Sequence, residues 1–225
     1  MRGPHNPHLG RQSRMWFGLL ALCTLACRSV CAQAPPYTGP DPLTPTKGKQ
    51  IAVLAGGCFW GVDAVFKHVK GVKDVVSGYS GGDLPSPSYE DVSSGETGHA
   101  ESVKITFDPS RVTYSQLLRV FFSVATDPTQ LNRQGPDVGT QYRSVIFYTG
   151  EPQKQIALAY IDQLNKAGVF PAPIVTQVKP FAHFYAAEAY HQDYLAQHLN
   201  NPYIVYNDLP KLRALKEKLP ELYKP

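Results

Sequence analysis

From residue 50 onward the chain alternates short apolar runs with stretches of helical spacing, and the order of the two periods predicts a fold. QIAVLAG (50–56) is an apolar run closed by glycines, as in a buried strand, and Trp60, Ala64, Val65 and Val69 then recur at helical spacing until Gly71. VKDVVSGYS (72–80) predicts a second strand and HAESVKITFDP (99–109), which alternates cleanly, a third. Between them lies GGDLPSPSYEDVSSGETG (81–98), a turn-rich connection long enough to be expected to carry function. Residues 114–125 predict an amphipathic helix with Leu117, Leu118, Phe121 and Val124 inward. TQYRSVIFYTG (140–150) predicts a fourth strand, and 152–166 a helix opened by a first-turn proline. PIVTQVKP (173–180) reads as a short strand, and 186–199 and 209–219 as helices. The order β-α-β-β-α-β followed by more helix predicts an α/β (α+β) fold: a ferredoxin-like split β-α-β two-layer sandwich with additional C-terminal helices and coil.

The segment before residue 50 has a different character. Arg2, Arg11 and Arg14 precede the apolar stretch MWFGLLALCTLAC (15–27), and small residues follow to Ala32, the layout of a secretory signal cleaved after Ala32. The apolar stretch is shorter than the roughly 20 residues that span a bilayer. Residues 1–32 are therefore expected to be a leader and 33–49, QAPPYTGPDPLTPTKGK, a Pro-rich linker, with one domain over 50–225. On this reading the protein is exported, periplasmic or secreted, with a lipid on Cys23 or Cys27 as the lesser alternative.

Cleavage there changes two totals. The chain has 22 Lys+Arg against 18 Asp+Glu, and the leader would remove Arg2, Arg11, Arg14 and Arg28, leaving 18 of each. Charge then makes no case for a nucleic-acid or membrane-surface partner. Of the four cysteines, Cys23, Cys27 and Cys31 would also leave, and Cys58 would remain with no partner for a disulfide within the chain. Both methionines, Met1 and Met15, precede the expected cleavage point.

Cys58 stands between a strand and a helix, where unpaired backbone N–H groups favour a thiolate and are expected to lower the thiol pKa. Gly56 and Gly57 allow the chain to turn there. A small buried hydrophobe is the competing reading of such a cysteine, as core packing is for Phe59 and Trp60. On the third strand, Glu101 has the parity of Val103, Ile105 and Phe107, so its carboxyl is expected on the buried face, where desolvation raises its pKa toward that of a general acid. A strand-end Glu reaching solvent or a cation is the alternative. His183, His191 and His198 are spaced eight and seven apart, which does not match helical metal-ligand spacing, so no metal is expected. A hydrolase pairing Cys58 with His99 or His191 has no support from spacing.

Four motifs stand in order: Gly57-Cys58-Phe59-Trp60-Gly61, Gly78-Tyr79-Ser80-Gly81-Gly82, Thr97-Gly98-His99-Ala100-Glu101 and Gly139-Thr140-Gln141-Tyr142-Arg143-Ser144. With Tyr190-His191-Gln192 and Asn201-Pro202-Tyr203-Ile204, they give a chain that from about Ile51 onward strongly resembles peptide methionine sulfoxide reductase A. The resemblance implies reduction of methionine-S-sulfoxide, free and in proteins, as repair under oxidative stress. It implies Cys58 as nucleophile and Glu101 as proton donor. Tyr89 and Tyr142 would hydrogen-bond the sulfoxide oxygen and Asp137 would help hold the site. Phe59 and Trp60 would bed the methyl group, with Gly57 and His99 also among the substrate-contacting residues. The product on the enzyme would be a Cys58 sulfenic acid. Many relatives carry downstream cysteines that resolve it, whereas residues 59–225 contain none and Ser93 occupies a loop position where some relatives have one. The resemblance thus implies no bound cofactor and an external thiol: a thioredoxin- or glutaredoxin-like protein, or dithiothreitol in vitro. A monomer is expected. Two other classes stay open, a one-cysteine thiol peroxidase and a non-enzymatic module binding Met-containing peptides.

Overall fold

The first apolar run forms β1 (Gln50–Gly56), and after Gly57 and Cys58 the chain enters α1 (Phe59–Lys67). In this computed structural model, residues 1, 3, 32–43 and 48–225 are described; the expected leader, apart from Met1, Gly3 and Ala32, lies outside the described residues, as do linker residues 44–47. β2 (Val72–Ser80) follows α1, then the short α2 (Tyr89–Ser93), β3 (Ala100–Phe107) and α3 (Tyr114–Val120), which runs into a π turn (Phe121–Ala125). A small ribbon of β4 (Arg133–Gln134) and β5 (Asp137–Val138) precedes a 3-10 turn (Thr140–Tyr142), β6 (Ser144–Tyr148) and α4 (Glu151–Lys166). The rest comprises β7 (Gln177–Pro180), β8 (Phe184–Ala186), α5 (Tyr194–Gln197), a second π turn (Ile204–Asp208) and α6 (Leu209–Lys218).

The main sheet runs β7-β6-β1-β3-β2-β8. Its four central strands are those of the expected split β-α-β and pair antiparallel, with β1 between β3 and β6. β7 adds in parallel to β6, and β8 antiparallel to β2. Side-chain alternation then decides the layers. Leu54, Val103, Ile105 and Ile146 point into one large cluster with Val62, Leu117 and Ile156 from the helices, whereas Val53, Ala55, Val145 and Phe147 point the other way, under Phe181 and Phe184.

Three stretches differ from their sequence patterns. Residues 81–98 contain α2, whose N-terminus is closed by a capping box of Ser88 and Asp91. The expected helix over 186–199 is replaced by β8, a 3-10 turn (Ala189–His191) and the four-residue α5. Gln192 gives the reason, because its side chain accepts from the Ser77 amide and donates to the Ser77 and Ala187 carbonyls, and Asp193 next to it has φ +55°. Tertiary hydrogen bonds to β2 outweigh the local apolar spacing. The ribbon β4–β5 is too short to register as alternation.

Residues 33–43 have no regular secondary structure, but they lie bound along the helices. Ala34 is wholly buried, its amide donating to Ser123 Oγ at 2.9 Å and its carbonyl accepting from Arg119 Nε at 3.0 Å. Tyr160 and Gln163 of α4 donate to the Pro35 and Pro36 carbonyls, and Tyr37 packs edge-on against the Tyr160 ring. Composition alone predicts only that such a segment is extended; these bonds hold it to the π turn and α4.

Candidate active site

Cys58 is the N-cap of α1 and is buried at 7 % exposure. Gly57, at φ +99°, makes the turn that puts it there, and a methyl group at Gly57 would lie 2.6 Å from Gln134 Cβ on β4, so both conformation and space call for glycine. The first-turn amides of α1 are unpaired within the helix, and one of them is taken by an acid from β3. Phe59 N–H donates to Glu101 Oε2 at 2.9 Å, and the Trp60 amide, without a cap hydrogen bond to the sulfur, favours the Cys58 anion weakly. The helix end therefore ties the acid to the residue that follows the thiol in the chain.

Glu101 arrives from β3 with the parity of Val103, Ile105 and Phe107 and is 3 % exposed. Burial, opposed by the Phe59 amide and reinforced by the negative charge of Asp137 and Asp208, pushes its pKa up to about 8. At neutral pH this carboxyl holds a proton. The expected lowering of the thiol pKa is not found: burial, then the charges of Glu101 and Asp208, hold Cys58 well above the ordinary thiol value, against the weaker pulls of Lys211 and the Trp60 amide. Desolvation of a sulfur anion here exceeds what the helix end returns. The two titrations are linked, because a protonated Glu101 no longer opposes a thiolate beside it.

The tyrosines converge from three elements. Tyr89 opens α2; Glu188 accepts from its amide at 2.8 Å and from the Tyr79 hydroxyl at 3.0 Å, which ties α2 to β2. Tyr142 closes the 3-10 turn before β6, and burial followed by the charge of Glu101 raises the pKa of both Tyr89 and Tyr142. Each stays a neutral hydroxyl able to donate. Asp137 on β5 accepts from the Tyr203 hydroxyl at 2.5 Å. Tyr203 had no role assigned from sequence beyond its place in the Asn201–Ile204 motif, since nothing local marks a residue that bonds a partner 66 positions away.

Phe59 is core, 1 % exposed against Tyr79 and His191. Trp60 is half-buried, stacked on Tyr194 with centroids 3.7 Å apart, and its indole N–H donates to His191 Nδ1 at 3.0 Å. It is the aromatic with surface left to offer a substrate. His191 is thereby fixed with Nδ1 as acceptor, and burial lowers its pKa. His99 makes different contacts from those expected: it is buried, Nδ1 accepting from the Gly82 amide and Nε2 donating to the Leu84 carbonyl. Its ring holds the loop after β2. Among the described residues, no group of three or more His, Cys, Asp or Glu could hold a metal ion, and no helix is long and apolar enough to cross a membrane.

The arrangement suits oxygen removal from a soft centre: a thiol, a carboxyl that carries its proton near neutrality, neutral hydroxyls beside it and an aromatic wall. Comparisons with known proteins agree. A family model described as peptide methionine sulfoxide reductase matches residues 50–222. The protein named peptide methionine sulfoxide reductase MsrA 2 of Mesorhizobium japonicum is 62 % identical over 176 residues, covering 78 % of this chain and 90 % of its own length. A protein of Thermus thermophilus named peptide methionine sulfoxide reductase MsrA is 49 % identical over 177 residues, covering 79 % and 99 %. Among solved structures, methionine sulfoxide reductase A of Corynebacterium diphtheriae superposes with a TM-score of 0.60 at 34 % identity, covering 76 % of this chain and 90 % of that one. Reduced Mxr1 of Saccharomyces cerevisiae gives 0.61 at 34 %, covering 70 % and 89 %.

Proposed function

The chain belongs to the peptide methionine sulfoxide reductase A family and is a methionine sulfoxide reductase acting in repair; from that premise we propose that it reduces the S epimer through a sulfenic acid on Cys58, regenerated by an external thiol. The observation that carries the mechanism is the buried Glu101 carboxyl bonded to Phe59 N–H, the amide next in the chain to the buried Cys58.

The Cys58 sulfur attacks the sulfoxide sulfur while Glu101 passes its proton to the sulfoxide oxygen, which leaves poorly until protonated. Tyr89 and Tyr142 donate to that oxygen as its charge grows. The oxygen ends on Cys58: thiol plus sulfoxide give sulfenic acid plus thioether, so the two electrons gained by the substrate are lost by the cysteine. An external thiol then condenses with the sulfenic acid, releasing water and forming a mixed disulfide, and a second thiol frees Cys58 as the external disulfide departs. The sequence supports this external route, since residues 59–225 hold no cysteine to resolve the intermediate. A thioredoxin- or glutaredoxin-like protein is the proposed donor.

Peptides bearing each pure sulfoxide epimer, incubated with excess dithiothreitol, test the proposal. Thiol-dependent consumption of the S epimer with the R epimer untouched is expected; equal use of both, or turnover without thiol, would contradict it. Export is proposed on the leader pattern alone, and intact mass of exported protein reads it directly: a chain beginning at Gln33 is expected, and one retaining the leader overturns it.

A further inference from the structure

A second charged pair lies against the cysteine's helix. Asp208, the last residue of the second π turn, is wholly buried, and its Oδ1 accepts from Lys211 Nζ at 3.2 Å. The pair rests on Gly61: a methyl group there would sit 2.1 Å from Asp208 Oδ1 and 3.1 Å from Lys211 Nζ. Gly61 is three residues beyond Cys58, so it shares that residue's face of α1 one turn on. Glycine at 61 is what allows a charged pair so near the helix axis.

Structural demand does not account for the pair. The other carboxylate oxygen of Asp208 is buried with no hydrogen-bond partner, and a buried ion pair with a half-satisfied acid is weak support for a fold. An insulated α6–α1 contact would be served as well by apolar side chains. Asp208 itself opposes the Cys58 anion more strongly than Lys211 favours it, so what Lys211 supplies is an offset to the acids gathered around the thiol. Cys58 faces Glu101 from β3, Tyr89 from α2, Tyr142 from the 3-10 turn and Tyr203 and Asp208 from the C-terminal segment, with Asp137 behind Tyr203. Of the charged residues acting on Cys58, Lys211 is the one that favours its anion.

We propose that Lys211, held by Asp208 against Gly61, is a positioning residue for the reductase reaction: its ammonium, beside the helix turn that Cys58 caps, offsets the surrounding acids and favours the thiolate. The inference rests on Cys58 being the reacting thiol. Lys211 remains partly open to solvent, with 23 % of its side chain exposed, so its pull on the thiolate is moderated by screening.

The test is the pH dependence of Cys58 alkylation by iodoacetamide, followed by peptide mapping so that Cys58 is read separately from other cysteines. Lys211→Met is expected to move the midpoint upward by about one pH unit and slow alkylation at pH 7 roughly tenfold, and Lys211→Arg to restore the wild-type profile. Lys211→Gln repeats the charge loss without an apolar group, should the Met variant fold poorly as judged by circular dichroism. An unmoved profile in the folded neutral variant, or an Arg variant shifted as far as the neutral one, would overturn the proposal. Alkylation requires no sulfoxide, so this result and the epimer assay can fail independently.

Discussion

Replacing Cys58 by serine is expected to lower methionine sulfoxide reduction by a thousandfold or more, to roughly background, with the fold intact. Serine is nearly isosteric with the cysteine at this N-cap. The N-cap position tolerates it well, since serine is among the preferred residues there. Chemistry, not architecture, is lost: an alcohol is barely ionised near neutrality, and its hard oxygen is a poor attacker of a sulfoxide sulfur. No cysteine follows Cys58, so no thiol after it in the chain can take its place. Dithiothreitol-coupled turnover checks the rate and thermal unfolding checks the fold. Residual activity above a few per cent in a folded variant would remove Cys58 from the nucleophile's role.

Glu101→Gln is expected to cost roughly a hundredfold to ten-thousandfold in rate, the usual worth of a placed general acid, and to raise stability at the same time. The amide keeps an oxygen for the Phe59 N–H but carries no transferable proton. In the wild type, the rate should fall as pH rises through about 8, where Glu101 gives up its proton; the variant should lack that limb. The stability effect follows from linkage. The folded pKa lies above the unfolded one, so the native state binds the proton more tightly. Its stabilising effect is complete below about pH 4.5 and is lost as pH climbs to about 8. A neutral glutamine has no such loss, so its melting temperature should exceed that of wild type at pH 8 to 9 and approach it near pH 4 to 5, a gap on the order of a few kcal/mol at the alkaline end. A variant with wild-type rate at all pH values, or one with no stability gain at pH 9, would contradict the buried neutral acid.

Both predictions come from residues that were legible in the chain. Glu101 stood out because a strand's two-residue period assigns a face to every position, and β3 keeps that period from Glu101 through Phe107. Cys58 stood out because a strand and a helix abut at two glycines, one of which has the positive φ such a turn requires. The split β-α-β order was legible for the same reason, each of its elements carrying its own period. What escaped was set by distance along the chain. Tyr203 and Asp137 meet across 66 positions, and Asp208 reaches α1 from the far end of the domain. Neither leaves a local signature, and the π turn that aims Asp208 is a deviation from helical spacing. The stretch 186–199 has apolar residues at helical intervals, yet Gln192 spends its amide on β2 and breaks the helix. The helix end that favours a thiolate is visible in sequence, whereas the depth of burial that outweighs it at Cys58 is not.

Single turnover tests the central claim most directly. Reduced protein mixed with a tenfold excess of a methionine-S-sulfoxide peptide, with no other thiol present, should release close to one equivalent of the thioether peptide and then stop. The protein should gain the mass of one oxygen atom on Cys58, removable by dithiothreitol and trapped by a sulfenic-acid reagent such as dimedone. Thioether formed without oxygen on Cys58, or many turnovers with no thiol added, would contradict the account.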